Sequence, residues 1–361
     1  MTEKHQRLTV FVGSYAETAN SGVYLYEMDP SSGAMQRLDE AGGMKNPTFL
    51  SVDEINHRLY AISETQSEGE RIGEAVAFAV DSARGLLQEL NRSTTIRPSA
   101  SHIQLDRANR FVAVSGYHGG NVGLVQVQAD GLIGQLINEQ QHKGHGADPA
   151  RQDRPHPHSV LFSPDNRFAL VADLGLDKII VYALDSAAGK LTLQSEVHTP
   201  AGSGPRHMAF HPNGRYLYSI NEVNSTISSF SFDPEGGCLE LLDTVSTLPS
   251  GFEGENTTAE IAISGDGRFL YGSNRGHDSI VQFSIDGASG KLTYVEHVSS
   301  EGEHPRHFAI TPDGKHLITA NRDSNNLVVF KVDKESGKLK STGLTYNVSK
   351  PVCVKPVQFE I

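Results

Sequence analysis

Short runs of alternating apolar and polar residues recur along the chain, and turns separate each run from the next. The clearest series runs from Gly204 to Leu242 and reads GPRHMAFHPNGRYLYSINEVNSTISSFSFDPEGGCLELL. Its period-two pattern and its β-branched and aromatic residues predict β-strands, and the Asn-Gly pair predicts a tight turn. The expected strands are His207–Phe210, Tyr216–Ile220, Ile227–Phe232 and a fourth that begins at Leu239.

Four antiparallel strands in about 40–45 residues are typical of one blade of a β-propeller. The same unit recurs in five further stretches, which begin at Pro47, Ser101, Pro157, Ala259 and Pro305. The copy at Pro47 is the poorest match, because the pattern does not define its boundaries between Glu64 and Val76.

A seventh unit can be assembled from the two ends of the chain. The N-terminal segments LTVFVGSY, GVYLYEMD and SSGAMQRL match strands two to four, and the C-terminal PVCVKPVQFEI matches strand one. Pairing of these ends would close a ring without an open sheet edge, whereas an open β-solenoid would need atypical capping repeats. We therefore predict an all-β fold, a single domain over residues 1–361 built as a seven-bladed β-propeller of four-stranded antiparallel blades.

Composition and charge exclude some classes of partner and location. The 361 residues carry a formal charge of −12, which argues against nucleic acid and anionic membrane surfaces as partners. No apolar segment is typical of a signal peptide or long enough to cross a bilayer. Cys238 and Cys353 fall in different units, which favours ordinary strand residues over a disulfide. These features predict a cytoplasmic protein. We also expect a monomer or homodimer that uses no cofactor.

In a propeller blade, the innermost strand begins at the face to which the second strand returns. Residues at these two positions therefore lie together at one mouth of the central channel. The residues that begin first strands are His158, Arg206 and Arg306, with His207 and His307 one step later. The residues that follow second strands are Tyr15, Thr65, Tyr117, Leu174, Glu222, Arg275 and Arg322, with Asn221, Asn274 and Asn321 just before three of them. Four arginines at one mouth predict a small anionic ligand.

Each of these residues also has a structural interpretation. Arginines such as Arg306 and Arg322 could pair with neighbouring carboxylates and hold blades together. Glu222 could be a counter-ion whose pKa falls beside the arginines, and His158 could be a buried or turn histidine. The two histidines that follow arginine at matching positions are better explained by the repeat itself. No Gly-x-Ser-x-Gly or His-Glu-x-x-His motif points to serine or metal chemistry.

Two long connections lead to the same mouth. Residues 138–157 (NEQQHKGHGADPARQDRPHP) and 249–258 (PSGFEGENTT) both join a fourth strand to the next first strand. Such loops could be insertions without function. Their shared location favours a role in the walls of a pocket.

Several segments taken together resemble the seven-bladed propeller lactonase family, which includes a bacterial type of 6-phosphogluconolactonase and the fungal 3-carboxymuconate lactonizing enzyme. The resemblance covers essentially the whole chain. It lies in FVGSY, RPHPHSVLFSPD, GPRHMAFHPNGRYLYSINE, NTTAEI before GDGRFLYGSNRG, and HPRHFAITPDGKHLITANRDSNN. For the branch that contains the muconate enzyme, it implies an active site made of His158, Arg206, Glu222 and Arg275, and retention of these four residue types does not decide between the two reactions.

The resemblance implies a first hypothesis, hydrolysis of 6-phospho-D-glucono-1,5-lactone in the pentose phosphate pathway. The substrate would be a small anionic sugar-phosphate lactone. Glu222 or His158 would take a proton from water, and Arg206 and Arg275 would stabilise the oxyanion. The expected substrate- and phosphate-binding residues are Arg306, Arg322, His207, Asn274 and Tyr15.

Two other hypotheses stay open at this point. The same site could belong to a muconate-type cyclase, or to a lactonase that acts on a carboxylated and unphosphorylated substrate. Alternatively, the propeller could be a non-enzymatic binding platform, which predicts a large exposed apolar patch on one rim. The polar, arginine-rich mouth argues against a binding platform.

Overall fold

The fold is a closed ring of seven antiparallel sheets with four strands each, seen in a computed structural model that describes residues 6–360. Blades are numbered 1 to 7 along the chain. Blade 1 contains β1 (Gln6–Ser14), β2 (Val23–Met28), β3 (Met35–Ala41) and, from the other end of the chain, β28 (Pro351–Glu360). Blade 2 contains β4 (Leu50–Asp53), β5 (Arg58–Ser67), β6 (Glu70–Asp81) and β7 (Leu86–Thr94). Blade 3 contains β8 (His102–Leu105), β9 (Phe111–Gly116), β10 (Asn121–Val127) and β11 (Ile133–Gln141).

The remaining blades follow the same order. Blade 4 contains β12 (Pro157–Phe162), β13 (Phe168–Asp173), β14 (Lys178–Asp185) and β15 (Lys190–His198), with a single 3-10 turn at Leu174–Leu176. Blade 5 contains β16 (Pro205–Phe210), β17 (Tyr216–Asn221), β18 (Thr226–Asp233) and β19 (Cys238–Ser246). Blade 6 contains β20 (Thr257–Ile263), β21 (Phe269–Arg275), β22 (Ser279–Ile285) and β23 (Leu292–Ser299). Blade 7 contains β24 (Pro305–Ile310), β25 (His316–Asn321), β26 (Asn326–Val332) and β27 (Leu339–Asn347).

The two ends of the chain meet in blade 1. There β28 is the innermost strand, and it pairs with β1 from Gln6 opposite Glu360 to Ser14 opposite Pro351. The seven-bladed architecture and its closure by terminal strands are therefore confirmed. Closure matters because β28 completes blade 1 and covers an edge of β1 that would otherwise be unpaired.

Blade 2, whose limits the sequence pattern left undefined, has unusually long middle strands. β5 and β6 stay paired as far as Ser67 opposite Glu70, so the uncertain segment is one continuous hairpin. The hairpin extends at the mouth where the second strands of the blades end.

Buried tyrosines join neighbouring blades near the opposite mouth. In three blades a second-strand tyrosine donates its hydroxyl to a glycine carbonyl in the third-to-fourth strand turn of the next blade. The pairs are Tyr60–Gly131, Tyr218–Gly290 and Tyr271–Gly337, with oxygen–oxygen distances of 3.1, 2.9 and 2.5 Å. Each glycine has φ between +69° and +86°, the left-handed region that favours glycine. These three turns therefore help to hold neighbouring blades together at this mouth.

Cys238 is exposed, Cys353 is buried, and both thiols are free. This agrees with the expectation that neither forms a disulfide. The one helical segment within residues 6–360 is the turn Leu174–Leu176. That part of the chain has no helix long and apolar enough to cross a membrane.

Candidate active site

Three of the predicted site residues lie where the pairing of two strands is irregular. In blades 4, 5 and 7, the pairing of the first and second strands skips one residue near the start of the innermost strand. The skipped residues are His158, Arg206 and Arg306. A β-bulge changes the direction of a side chain relative to the regular ladder. The same irregularity thus presents a histidine and two arginines at one mouth of the channel.

Glu222 is the centre of a buried charge cluster at this mouth. Its Oε2 lies 2.9 Å from Nε of Arg206 in the same blade and 2.9 Å from Nη2 of Arg275 in blade 6. Its Oε1 accepts a hydrogen bond from Arg151, which belongs to the loop of residues 138–157. The Glu222 side chain is 9% exposed, so three guanidinium groups converge on one buried carboxylate.

The charges of this cluster decide the protonation state of Glu222. Burial alone would raise the pKa of its carboxyl, but the charges of Arg275, Arg206 and Arg151 outweigh burial and hold the pKa well below its usual range. Glu222 is therefore ionised throughout the neutral pH range. A carboxylate held in this way is a weak proton acceptor.

Arg206 and Arg275 are each held at a second point. Nη1 of Arg206 donates to the carbonyl of Ala259 at 2.7 Å, and Nη2 of Arg275 donates to the carbonyl of Thr258. Burial lowers the pKa of Arg206 to about 9, with contributions from Arg275 and Arg306, so the group stays charged at neutral pH. Both arginines are thus fixed in place and positively charged.

His158 combines burial with free ring nitrogens. Within residues 6–360, neither ring nitrogen has a hydrogen-bond partner, and Nδ1 is fully buried. Burial lowers the pKa of His158 well below 6.5, and the charges of Arg206, His207 and Arg306 lower it further. The imidazole is therefore neutral at pH 7 and able to accept a proton.

A cavity of about 400 Å³ brings part of the predicted set together. Its walls include four of the predicted residues, Tyr15, His158, Glu222 and Arg306. The other residues that line it are Asn46, Thr48, Glu64, Arg71, Ser99, Ala100, Ser101, Tyr117 and His118. The lining is almost entirely polar, which suits a hydroxylated ligand.

Arg306 differs from the arginines behind Glu222. In the described part of the chain it has no side-chain hydrogen bond and no ion pair, and its guanidinium lies 5.8 Å from the ring centre of Tyr15. It lines the same cavity as His158, and its charge lowers the pKa of that histidine. Arg306 is thus a cation free to bind an anionic group inside the cavity.

His207 lies in the channel, away from the walls of this cavity. Its Nδ1 and Nε2 of His307 both lie 2.9 Å from Oε2 of Glu260, so two imidazoles hold one buried carboxylate. The ring of Phe49 packs at 5.6 Å from both histidine rings. Burial lowers the pKa of His207 to about 4. These contacts favour a packing role for His207, although its ring also lies 5.2 Å from that of His158.

Four other predicted residues are also absent from the cavity walls, namely Arg206 and Arg275, described above, and Asn274 and Arg322. Asn274 is fully buried. Its amide nitrogen donates to the backbone carbonyl of Thr247, and its amide oxygen accepts a hydrogen bond from the Thr247 hydroxyl, at 2.8 Å each. Arg322 forms a bidentate pair with Asp323 at 2.6 and 2.9 Å. It lines a neighbouring cavity, which also contains Tyr15. The geometry therefore gives Asn274 a structural partner and Arg322 a local counter-ion.

The long loop of residues 138–157 contributes Arg151, which the repeat pattern did not identify. Both ends of the loop are fixed to Asp173. Oδ2 of Asp173 lies 2.6 Å from Nδ1 of His142, and Oδ1 of Asp173 accepts a hydrogen bond from the backbone N–H of His156 at 2.8 Å. The length and location of the loop were the only signals in the sequence that pointed to this wall of the site.

Arg71, Glu64 and His118 also line the cavity, and sequence reasoning did not select them. Arg71 and Glu64 belong to the extended hairpin of blade 2, where the repeat was hardest to recognise. Across residues 6–360, no group of three or more His, Cys, Asp or Glu side chains could hold a metal ion.

The arrangement can support attack of water on an ester carbonyl. His158 can accept a proton, and Arg306 can stabilise negative charge that develops on an oxygen. Glu222 balances the charge of the arginines behind the cavity and keeps them in position. Such a site suits a small, hydroxylated and negatively charged ester.

Comparison with known proteins gives a consistent result over the whole length of the chain. A family model described as "Lactonase, 7-bladed beta-propeller" matches residues 9–356. A protein named 6-phosphogluconolactonase from Bacillus subtilis is 35% identical over 345 residues, which cover 96% of this chain and 97% of the relative. Another protein of that name, from Formosa agariphila, is 36% identical over 306 residues, or 83% of this chain and 85% of the relative.

A solved structure shares the fold and about a third of the sequence. It is the protein described as a periplasmic gluconolactonase from Pseudomonas aeruginosa, with 32% identity and a TM-score of 0.89. The match covers 98% of this chain and 99% of that one.

Proposed function

We propose that this chain, which belongs to the seven-bladed β-propeller lactonase family, hydrolyses 6-phospho-D-glucono-1,5-lactone to 6-phosphogluconate. The names of the Bacillus and Formosa relatives support this substrate. One structural observation carries the proposal. A neutral histidine with free ring nitrogens, His158, lines the same cavity as Arg306, a guanidinium without a carboxylate partner among the described residues.

His158 is the general base in this proposal. It takes a proton from water as the water oxygen attacks C1 of the lactone, and the carbonyl oxygen becomes an oxyanion beside Arg306. The tetrahedral intermediate then collapses, the bond from C1 to the ring oxygen breaks, and that oxygen receives the proton from the imidazolium. The new carboxylic acid loses its proton to solvent.

Glu222 is a positioning residue in this proposal. Its ionised carboxylate is engaged by three arginines, so it is a poor base even though it reaches the cavity wall. Arg206 and Arg275 donate to Glu222 and to backbone carbonyls, and they supply positive potential from behind the site. Because the lactone also opens spontaneously, the enzyme needs to supply only a modest acceleration.

The proposed substrate carries its negative charge on the phosphate. We place the reaction in the cytoplasm, where the pentose phosphate pathway would supply this lactone. Unphosphorylated glucono-1,5-lactone is the second candidate, because the Pseudomonas protein with the same fold is described as a gluconolactonase.

The test is the decay of freshly generated 6-phosphogluconolactone, with 6-phosphogluconate dehydrogenase reporting product as NADPH. We expect clear acceleration by the wild-type protein and a loss of about 100-fold or more in His158→Asn. His198→Asn is the matched control, because His198 is exposed on the outermost strand of blade 4 and should leave the rate unchanged.

Two outcomes would count against the proposal. If His158→Asn keeps the wild-type rate, the base assignment is wrong, although the activity stands. If micromolar wild-type protein gives no acceleration, the substrate is wrong. Glucono-1,5-lactone, carboxylated lactones and muconates would then be assayed in turn.

A further inference from the structure

The β5–β6 hairpin of blade 2 reaches beyond the mouth of the channel. β5 has 10 residues and β6 has 12, whereas the second strands of blades 3, 4, 5 and 7 have 6. The additional residues lie at the end that faces the site. They form a wall of the cavity that no other blade supplies.

Arg71 lies in this extension and lines the cavity. Its Nη1 is 3.7 Å from Oε2 of Glu64, a separation longer than a hydrogen bond, and its side chain is 43% exposed. An ion pair this loose and this exposed stabilises little. The guanidinium of Arg71 is therefore available to a ligand, unlike those of Arg206 and Arg275.

The two available arginines come from different blades, Arg306 from the start of β24 and Arg71 from the extended β5–β6 hairpin. Arg306 is among the charges that lower the pKa of His158. Arg71 instead acts on His118, whose pKa is lowered first by burial and then by the charge of Arg71. The charge of Arg306 therefore acts on His158, and the charge of Arg71 acts on His118.

We propose that the part of the cavity beside Arg71 is a phosphate subsite and that Arg71 is the residue that recognises the phosphate. This inference rests on the proposed function, because it assigns the part of the cavity that would hold the phosphate at C6 while C1 lies beside His158. A planar guanidinium can donate two parallel hydrogen bonds to a phosphate. Arg306 is then left for the oxyanion, and Arg322 stays paired with Asp323.

The experiment compares two substrates that differ only in the phosphate. For Arg71→Ala we expect KM for 6-phosphogluconolactone to rise about 10- to 100-fold. The kinetics with glucono-1,5-lactone should change less than about twofold. Arg71→Lys keeps the charge but loses the bidentate geometry, so its KM should be intermediate. The inference is overturned if both substrates respond equally or if neither responds.

Arg84→Ala is the matched control. Arg84 belongs to the same blade and forms an ion pair of the same 3.7 Å length with Asp81, but it lies in the β6–β7 turn at the opposite mouth. It should leave KM unchanged for both substrates. An equal rise in KM for Arg84→Ala would show that loss of any positive charge on this blade weakens substrate binding. That result would overturn the inference.

Calorimetric binding of 6-phosphogluconate separates this inference from the proposed function. If wild-type protein binds this product and Arg71→Ala binds it at least about tenfold more weakly, the subsite stands even without lactonase activity. If the wild-type protein hydrolyses the phosphorylated lactone but Arg71→Ala binds 6-phosphogluconate equally well, the function stands and the subsite is wrong.

Discussion

Nε of Arg206 lies 2.9 Å from Oε2 of Glu222, which joins the start of one strand to the end of the next within a single blade. Arg275 reaches the same oxygen from the neighbouring blade, so the contact also links blades 5 and 6. The carboxylate is buried together with both guanidinium groups. Removal of its charge would leave the buried guanidinium groups without this counter-ion.

Glu222→Gln should therefore destabilise the fold. Breaking a buried ion pair by changing one partner costs about 3–5 kcal/mol, and we expect a loss of that size in urea unfolding followed by circular dichroism. Glu27→Gln is the control, because Glu27 pairs with Arg7 at 2.8 Å but is 43% exposed. Its change should cost less than about 1 kcal/mol. Equal losses in the two variants would contradict a special role for the buried cluster.

The blade architecture was predictable because alternate residues of a strand face opposite sides of the sheet. The strand expected at Tyr216–Ile220 is observed at Tyr216–Asn221, and the strand expected to begin at Leu239 begins at Cys238. The hairpin around Glu64 was not predictable, because its extension departs from the repeat. A periodic pattern thus defines the elements that repeat and leaves the additions undefined.

The site was predictable only in part, for a related reason. The repeat placed Arg206, Glu222 and Arg275 at one mouth, but it could not show that the arginines pair with Glu222, because side-chain reach between blades depends on the fold. Asn274 occupies a position in its blade equivalent to that of Asn221 and Asn321, yet its side-chain amide forms hydrogen bonds with Thr247. Arg71 and Arg151 come from segments that do not repeat, so no equivalent position indicated them.

The pH dependence of activity tests the protonation state of His158. Burial and the nearby arginines lower its pKa well below 6.5. A base of this kind is lost only when the pH falls through that lowered pKa, so protonation of His158 should not reduce kcat/KM between pH 7.5 and 6.0. The measurement is kcat/KM across that range after subtraction of spontaneous hydrolysis. An acidic limb near pH 6.5 or above that disappears in His158→Asn would contradict the lowered pKa.

Buried neutral histidines should also make the fold sensitive to acid. Burial lowers the pKa of His102, His158 and His207, the last to about 4, whereas each should titrate near 6.5 when unfolded. Below pH 6.5 the unfolded chain therefore binds more protons than the folded one, and stability falls by about 1.4 kcal/mol per pH unit for each histidine. Glu222 and Glu260, whose pKa values are also lowered, add to this loss below about pH 4.5.

The measurement is the free energy of unfolding in urea at pH 7.5, 6.0 and 5.0. We expect little change from pH 7.5 to 6.5 and a steep loss from pH 6.5 to 5.0. His207→Gln should reduce the slope below pH 6.5, whereas His198→Gln, on the exposed outer strand, should not. Equal stability at pH 7.5 and 5.0 would contradict burial of neutral histidines.

Asp173 should affect activity although it lies away from the cavity walls. It fixes both ends of the loop that carries Arg151, through His142 and through the backbone of His156. Asp173→Asn weakens the contact with His142, so we expect kcat/KM to fall and trypsin to cut the loop faster after Lys143 or Arg151. Asp165→Asn, in an exposed turn of the same blade, should change neither. A rigid loop in Asp173→Asn would show that other contacts hold it.

Closure of the ring depends on β28, the strand supplied by the C-terminal end of the chain. β28 contributes Cys353, Val354 and Phe359, which are fully buried, and it covers the inner edge of β1. Deletion of residues 351–361 would expose that edge and remove the innermost strand of blade 1. We expect the truncated chain to lose cooperative unfolding and to aggregate, since an open strand edge pairs readily with other chains.

A circular permutant is the matched control for the deletion. It joins the original ends and opens the chain at Gly287, an exposed turn between β22 and β23. Every strand is kept and only the order of the chain changes, so the permutant should unfold cooperatively within a few degrees of the wild-type midpoint. A truncated chain that unfolds like the wild type would show that six complete blades can close without β28. A permutant that fails to fold would show that chain order, rather than closure, is what the termini supply.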